Sequence, residues 1–258
     1  MTPKPVIQPK RGRFDGMMQI MRYNWPQYAG GFLIALLGAG LWFAHRSPEW
    51  LQITLLVIAL CAAWWSVASL IASFWIYDAS LLYRWTWIPD FLEVAPRHWL
   101  NLHAGLDESS PALRRLFPHS EGETRDFFDA TQMPEPSIQR ARAEQKDHRD
   151  GQVNYRQLPF AEGTFDTVFL LFAAHELRHP ASREMFMREV VRILSANGQV
   201  LLVEHLRDAA NFTAFGPGFF HFMPSGEWRR LADFAGLEII RESRMTPFVK
   251  IFLLRKKP

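Results

Sequence analysis

FDTVFLLFAAHELRH (165–179) and GQVLLVEHLRD (198–208) decide the fold. Each is a continuous apolar run that closes on an acid and an imidazole. The first ends at His175-Glu176 and the second at Glu204-His205. Short apolar runs without polar alternation read as strands buried on both faces. Between them, SREMFMREVVRILSANG (182–198) places Phe186, Val190, Ile193 and Leu194 on one helical face and stops at Asn197-Gly198. Ligands of an open parallel sheet sit outside the carboxyl ends of the strands. The acids and imidazoles at these two ends are therefore candidates for chemistry.

The same alternation extends both ways. HWLNLHAG (98–105), ETRDFF (123–128) and VNYRQLPF (153–160) read as further strands. Ser110 is expected to cap a helix with Pro111 at its first position, and SIQRARAEQ (137–145) is a polar helix-favouring stretch. After QVLLVEHL, SGEWRRLADFAG (225–236) reads as a capped helix. LEIIRE (237–242) and FVKIFLLR (248–255) close the chain as a strand pair turning at Met245–Pro247. Seven strands alternating with helices predict an α/β, doubly wound, mostly parallel sheet.

Upstream the composition changes. Pro26 to Ala44 is almost wholly apolar and Leu51 to Tyr77 nearly so, each long enough to cross a hydrocarbon core as a helix. Arginine and lysine at positions 4, 10, 11, 13 and 22 precede the first run. The loop between the runs carries His45 and only Arg46 with Glu49. By the positive-inside rule both termini face the cytoplasm. A cleaved signal peptide competes less well, since two long runs follow each other. The expected organisation is a basic cytoplasmic tail (1–25), a transmembrane helical hairpin (26–77), a linker in the membrane interface (78–95) and an α/β domain (96–258). A lipid bilayer is the partner this implies. The tail either rests on anionic headgroups or is solvated. The net charge of +3 on 258 residues suggests no nucleic-acid partner, and the single Cys61 leaves no disulfide or cysteine metal site.

HELRH (175–179) matches H-E-x-x-H, but Pro180 disfavours the continuous helix that a zinc protease needs. No spacing supports a metal site from His103, His175, His205 and His221, and no metal is expected. GFFHF (218–222) reads either as an apolar cover for a substrate or as core.

NLHAGLDESS, RDFFD, LPFAEGTFDTVF, AHELR and REVVRILSANGQVLLVEHLRD together resemble the class I S-adenosylmethionine-dependent methyltransferases, in particular membrane-anchored bacterial members related to the ubiquinone/menaquinone methyltransferase group. The resemblance covers about residues 75–258. It implies S-adenosylmethionine as cofactor and a Rossmann-like methyltransferase fold. It places the cofactor turn at Asn101–Asp107, with Asn101, His103, Ala104, Gly105 and Asp107 lining it. It also places a ribose-binding acid at Asp126, followed by Phe127, and an adenine-side contact at Asn154. His103 departs from the pattern, which has glycine there, and a side chain at that point crowds the methionine end of the cofactor. Asp107 stands where relatives often have the last glycine of the turn, and Asn101 and Asn154 where many have an acid.

Methyl transfer is mainly a matter of alignment, with a base where the acceptor loses a proton. His175 is the expected base, oriented by Glu176, with Glu204 or His205 as alternates. The expected function is membrane-anchored methyl transfer to an amphipathic or lipid-like small molecule, at the bacterial inner membrane with the catalytic domain in the cytoplasm. The alternative is a degenerate methyltransferase fold serving as a non-catalytic interaction module.

Overall fold

The computed structural model describes residues 12–44, 48–144 and 151–257. Lys4, Lys10 and Arg11 of the basic tail, and His45 and Arg46 of the loop, lie outside the described residues. So does the end of the polar stretch at 145.

The C-terminal part is an α/β sandwich on one six-stranded sheet of order β2-β1-β3-β4-β6-β5. Its strands are β1 (His98–His103), β2 (Glu121–Asp126), β3 (Phe165–Leu171), β4 (Leu194–His205), β5 (Leu237–Thr246) and β6 (Val249–Lys256). β2, β1, β3 and β4 are parallel, while β6 runs antiparallel to both β4 and β5. The carboxyl ends of β1, β2, β3 and β4 therefore share one rim, at His103, Asp126, Leu171 and His205.

The expected seventh strand over 153–160 does not form among the described residues. Only isolated bridges occur there, Asp126 with Gln152 and Asn154 with Gln157. Side chains of a helix take up its backbone instead. Leu158 N–H donates to Glu189 Oε2 at 2.8 Å, and Arg192 donates to the carbonyls of Leu158 and Phe160 at 2.9 and 2.7 Å. That helix, α7, spans Pro180–Ile193 and stops short of Asn197-Gly198. Leu194 is fully buried and pairs with Phe165, which draws the chain into β4 early. The next pair is Thr167 with Gln199, so Asn197-Gly198 is absorbed in a bulge and does not end a helix.

Strand alternation sorts the core into two layers. Leu100, Leu102, Val168, Leu170, Val200 and Leu202 face one, which contains Phe186 and Val190 of α7 and Trp228 of α9 (Ser225–Phe234). Trp99, Phe169, Leu201, Val203, Ile251 and Leu253 face the other. Much of that second layer comes from the end of the expected hairpin and from the segment expected as a membrane-interface linker. A π-helical turn (Trp75–Ala79), a 3₁₀ turn (Leu82–Arg84) and the single turn α4 (Ile88–Phe91) lay Ile76, Leu82, Trp85, Ile88 and Phe91 on the sheet. The linker is thus part of the domain's core. Ile88→Ala is expected to lower stability by about 2–5 kcal/mol, as truncation of a buried aliphatic does. A loss under about 0.5 kcal/mol in denaturant titration would mean that the segment merely rests on the surface.

Three helices precede this layer: α1 (Asp15–Tyr23), α2 (Trp25–Ala44) and α3 (Glu49–Phe74). By length and apolar composition α2 and α3 suffice to cross a membrane. They approach closely at Gly38, where an added Cβ would meet Ala59 Cβ at 2.6 Å. Small residues at such a seam allow backbones to pack. The outward faces carry exposed Phe32, Leu36, Phe43, Val57, Leu60 and Ile71. The carboxyl half of α3 is tied to the domain. Trp64 Nε1 donates to Thr213 O at 3.1 Å in α8 (Ala209–Phe215), and Trp65 meets Phe212 edge-on. The amphipathic α1 folds back towards the sheet rim. Its N-terminal amides Gly16 and Met17 both donate to the Asp78 carboxylate at 2.8 Å, which also suits the helix dipole. At its other end, Arg140 of α6 (Pro136–Glu144) donates to Tyr23 O.

Candidate active site

β1 delivers Asn101 and His103 to the rim, and the chain turns at Gly105 with φ +97°, a conformation that suits glycine. Asn101 is buried, and its amide donates to Asp107 Oδ1, Ser109 Oγ and Ser110 Oγ at 3.3, 2.9 and 2.8 Å. The next helix, α5 (Ser110–Leu116), is not capped by Ser110 as expected. Asp107 Oδ1 accepts from the amides of Ser109 and Ser110 at 3.2 and 2.9 Å, and Ser110 Oγ pairs with Thr124 Oγ1 at 2.7 Å. Asp107 thus braces the turn and the helix start together. His103 folds back on the turn, where its Nδ1 accepts from Gly105 N–H at 3.2 Å.

Two cavities meet at His103, which lines both. The larger, about 960 Å³, is bounded by Gly105, Asp126, Phe128, Arg142, Asn154 and Tyr155. Asp126 and Asn154, which the resemblance points to, both line it. Phe127 does not, since its side chain is fully buried and packs on Phe186 in the core. Arg142 of α6 is the feature the sequence hid. Its Nη1 lies 2.5 Å from Asp126 Oδ2, and its guanidinium sits 4.0 Å from the Phe128 ring centroid. A Cβ built on Gly105 would strike Arg142 first, at 2.3 Å. An arginine from a polar helix thus lies over the glycine turn and occupies one oxygen of the acid expected to hold a ribose. The other oxygen accepts from Phe128 N–H at 2.9 Å.

The smaller cavity, about 180 Å³, lies between α1 and the rim. Ile20, Tyr23, Tyr83, Trp85, Phe172 and Glu176 are among its walls. Its lining is mostly aromatic and apolar, with Asn24, His103, Ser109 and Ser137 as polar residues and Glu176 and Glu108 as its acids. Its roof is α1, so this cavity is made by two parts of the chain that the sequence kept separate.

Beyond β3, a 3₁₀ turn (Ala174–Glu176) carries His175 and Glu176, and β4 brings Glu204 beneath them. Glu204 has no exposed surface. Its Oε2 is 2.5 Å from His175 Nδ1, and its Oε1 accepts the His175 amide at 3.2 Å. His175 Nε2 faces Glu176 Oε1 at 3.4 Å. Burial opposes charge on His175, but the Glu204 charge, with hydrogen bonds that the ring donates to Glu176 and Glu204, outweighs it and holds the imidazole pKa up at about 10. A ring already protonated and flanked by two carboxylates is unsuited to take another proton. Of the pair, Glu176 is the group that reaches the smaller cavity. Burial alone would raise the Glu176 pKa; the His175 cation more than offsets this and keeps it low.

His205 lies elsewhere. Its ring is stacked on Phe222 at 4.7 Å and flanked by Phe172 and Phe215. Its Nδ1 is 3.3 Å from the Phe248 carbonyl, to which it donates, and its Nε2 is 3.2 Å from the Tyr77 hydroxyl. Burial, and then the nearby His175 cation, push its pKa down to about 3, so it is neutral. It lines neither cavity and braces the end of β4. Of GFFHF (218–222), residues 218–221 belong to a 3₁₀ turn (Gly216–His221) whose Gly216 abuts Trp65 of α3, and Phe222 packs on His205. The H-E-x-x-H reading fails as expected. His175 is on the 3₁₀ turn, while His179 is the extended N-cap of α7.

A methyltransferase domain model matches residues 129–202. No curated protein matches the chain. Among solved structures, the pyocyanin biosynthetic protein PhzM is similar at 15% identity, with 94% of this chain and 72% of that one covered and a TM-score of 0.54. The PH0226 protein of Pyrococcus horikoshii OT3 is similar at 17% identity, with 69% and 92% covered and a TM-score of 0.51. A SAM-dependent methyltransferase of Aquifex aeolicus aligns at 14% identity over 65% and 86%, with a TM-score of 0.49. Domain match and topology together support a methyltransferase-like α/β fold of the class I S-adenosylmethionine-dependent kind.

Proposed function

We propose that this protein transfers a methyl group from S-adenosylmethionine to a small, largely apolar acceptor held between α1 and the sheet rim. The carrying observation is the pair of cavities that share His103, one lined by Asp126 and Asn154, the other aromatic with Glu176 in its wall. When bound, the cofactor supplies an electrophilic methyl on a sulfonium centre. Asp126 is suited to accept from ribose hydroxyls, Asn154 to contact the adenine side and the Gly105 turn to pass the methionine end. These donors and the cavity fit the cofactor once Arg142 swings off Asp126. Glu176 faces the acceptor's polar group and orients it. Tyr83, Trp85 and Phe172 hold the acceptor's apolar body, and α1 excludes water.

In this reading α2 and α3 cross the bacterial inner membrane as a hairpin, with the domain in the cytoplasm. The exposed apolar faces and the Gly38 seam support it. Because α1 and the carboxyl half of α3 are both tied to the domain, the acceptor cavity lies close to the bilayer, which favours an amphipathic or lipid-like acceptor. The second reading is a non-catalytic module, favoured by Arg142 on Asp126 and by His103 in the turn. Calorimetry with S-adenosylhomocysteine on the full chain in detergent separates the two. The enzymatic reading expects single-site binding that is lost in Asp126→Ala. Binding seen only in His103→Gly or Arg142→Ala supports the module.

A further inference from the structure

Two histidines and a glutamate, from the turn after β3 and the turn 216–221, converge beside the acceptor cavity. Glu176 Oε1 is 3.4 Å from His175 Nε2 and 3.9 Å from His221 Nε2, and one donor atom from each residue lies within 4.8 Å of the others. Tetrahedral ligands at about 2.0–2.2 Å from a metal are separated by about 3.3–3.6 Å, so the donors would close in by no more than about 1.5 Å. Glu176 Oε2 is buried and has no hydrogen-bond partner.

The far side of each imidazole is held in the same manner. His175 Nδ1 lies 2.5 Å from Glu204 Oε2, and His221 Nδ1 lies 2.9 Å from Glu135 Oε1. Arg178 Nη2 fixes Glu135 in turn at 3.0 Å. Carboxylates on Nδ1 set the ring orientation and aim Nε2, the arrangement found behind metal-ligating histidines. Two such pairs pointing at one carboxylate are more than an ion-pair network requires.

We propose that His175 Nε2, Glu176 and His221 Nε2 bind one divalent transition metal of the zinc class, which displaces the proton from His175 Nε2 on binding. A His₂Glu set with one position left over is a donor set of catalytic zinc sites, and its borderline ligands disfavour magnesium or calcium. The remaining position adjoins the cavity that Glu176 lines. If the methyl-transfer reading above holds, that position takes an oxygen of the acceptor, which selects phenolic or enolic acceptors over purely aliphatic ones.

The test is a cobalt titration of the full chain in detergent after chelator treatment. The expected result is visible d–d absorption that saturates at about one equivalent and is displaced by zinc. His221→Ala loses it, and Glu135→Gln weakens it about 10- to 100-fold. Melting curves by circular dichroism check that each variant is folded, and Glu135→Gln tests the site even if His221→Ala is not. No saturable band, or native-like binding in both variants, overturns the proposal. S-adenosylhomocysteine calorimetry on the same sample reads the other claim separately. Cobalt without cofactor binding leaves the metal site standing and removes the methyl-transfer reading. Cofactor without cobalt binding overturns the metal site alone.

Discussion

Arg142→Ala is expected to tighten S-adenosylhomocysteine binding by about 10- to 100-fold. Arg142 holds Asp126 at 2.5 Å and overlies the Gly105 turn. A ribose that is to reach Asp126 must first displace the guanidinium. A hydrogen bond to a charged group contributes about 1.5–3 kcal/mol, and every 1.4 kcal/mol is a factor of ten. Removing the competitor returns that amount to the ligand, because ribose hydroxyls can satisfy the carboxylate that the arginine leaves. Arg142→Lys keeps the charge without the planar fork and is expected to fall between the two. Calorimetry on the three proteins checks this. Unchanged or weaker binding in Arg142→Ala would mean that the arginine belongs to the bound state, as a ligand contact.

Glu204→Ala is expected to cost about 3–5 kcal/mol of stability, the range for removing one partner of a buried ion pair. Glu204 is fully buried and anchors both the His175 ring and the His175 amide. Its loss leaves an imidazolium facing Glu176 alone and frees the turn after β3. The exposed pair Arg229–Glu242, with side chains 47% and 37% accessible, is the control. Arg229→Ala is expected to cost no more than about 1 kcal/mol. Denaturant titration of both variants measures the difference. Similar small losses would show that the strand-end network stabilises little.

Apolar periodicity made the sheet legible, because β3, β4 and β6 are buried on both faces and carry the pattern undiluted. It misled at 153–160, where Glu189 and Arg192 satisfy a backbone that looks like strand. It also misled at Asn197-Gly198, where strand pairing at Leu194 overrode a helix stop. Asp126, Asn154 and Gly105, which the family resemblance pointed to, line the larger cavity, while Phe127 turned into the core. What no spacing rule reveals is pairing between distant segments. Arg142 over Asp126, His221 beside Glu176 and α1 roofing the smaller cavity all join loops or helices far apart in the chain. His175 was visible as a titratable group at a strand end. Its role as a held cation depends on Glu204 lying beneath it, which requires the β3–β4 register.

The claim on which the rest depends is that the two cavities at His103 take the two halves of one reaction. A structure of the full chain with S-adenosylhomocysteine tests it most directly. The account predicts adenosine beside Asp126 and Asn154, Arg142 displaced, and the sulfur directed past His103 towards the cavity of Glu176. A ligand bound elsewhere, or a sulfur turned away from that cavity, would contradict it.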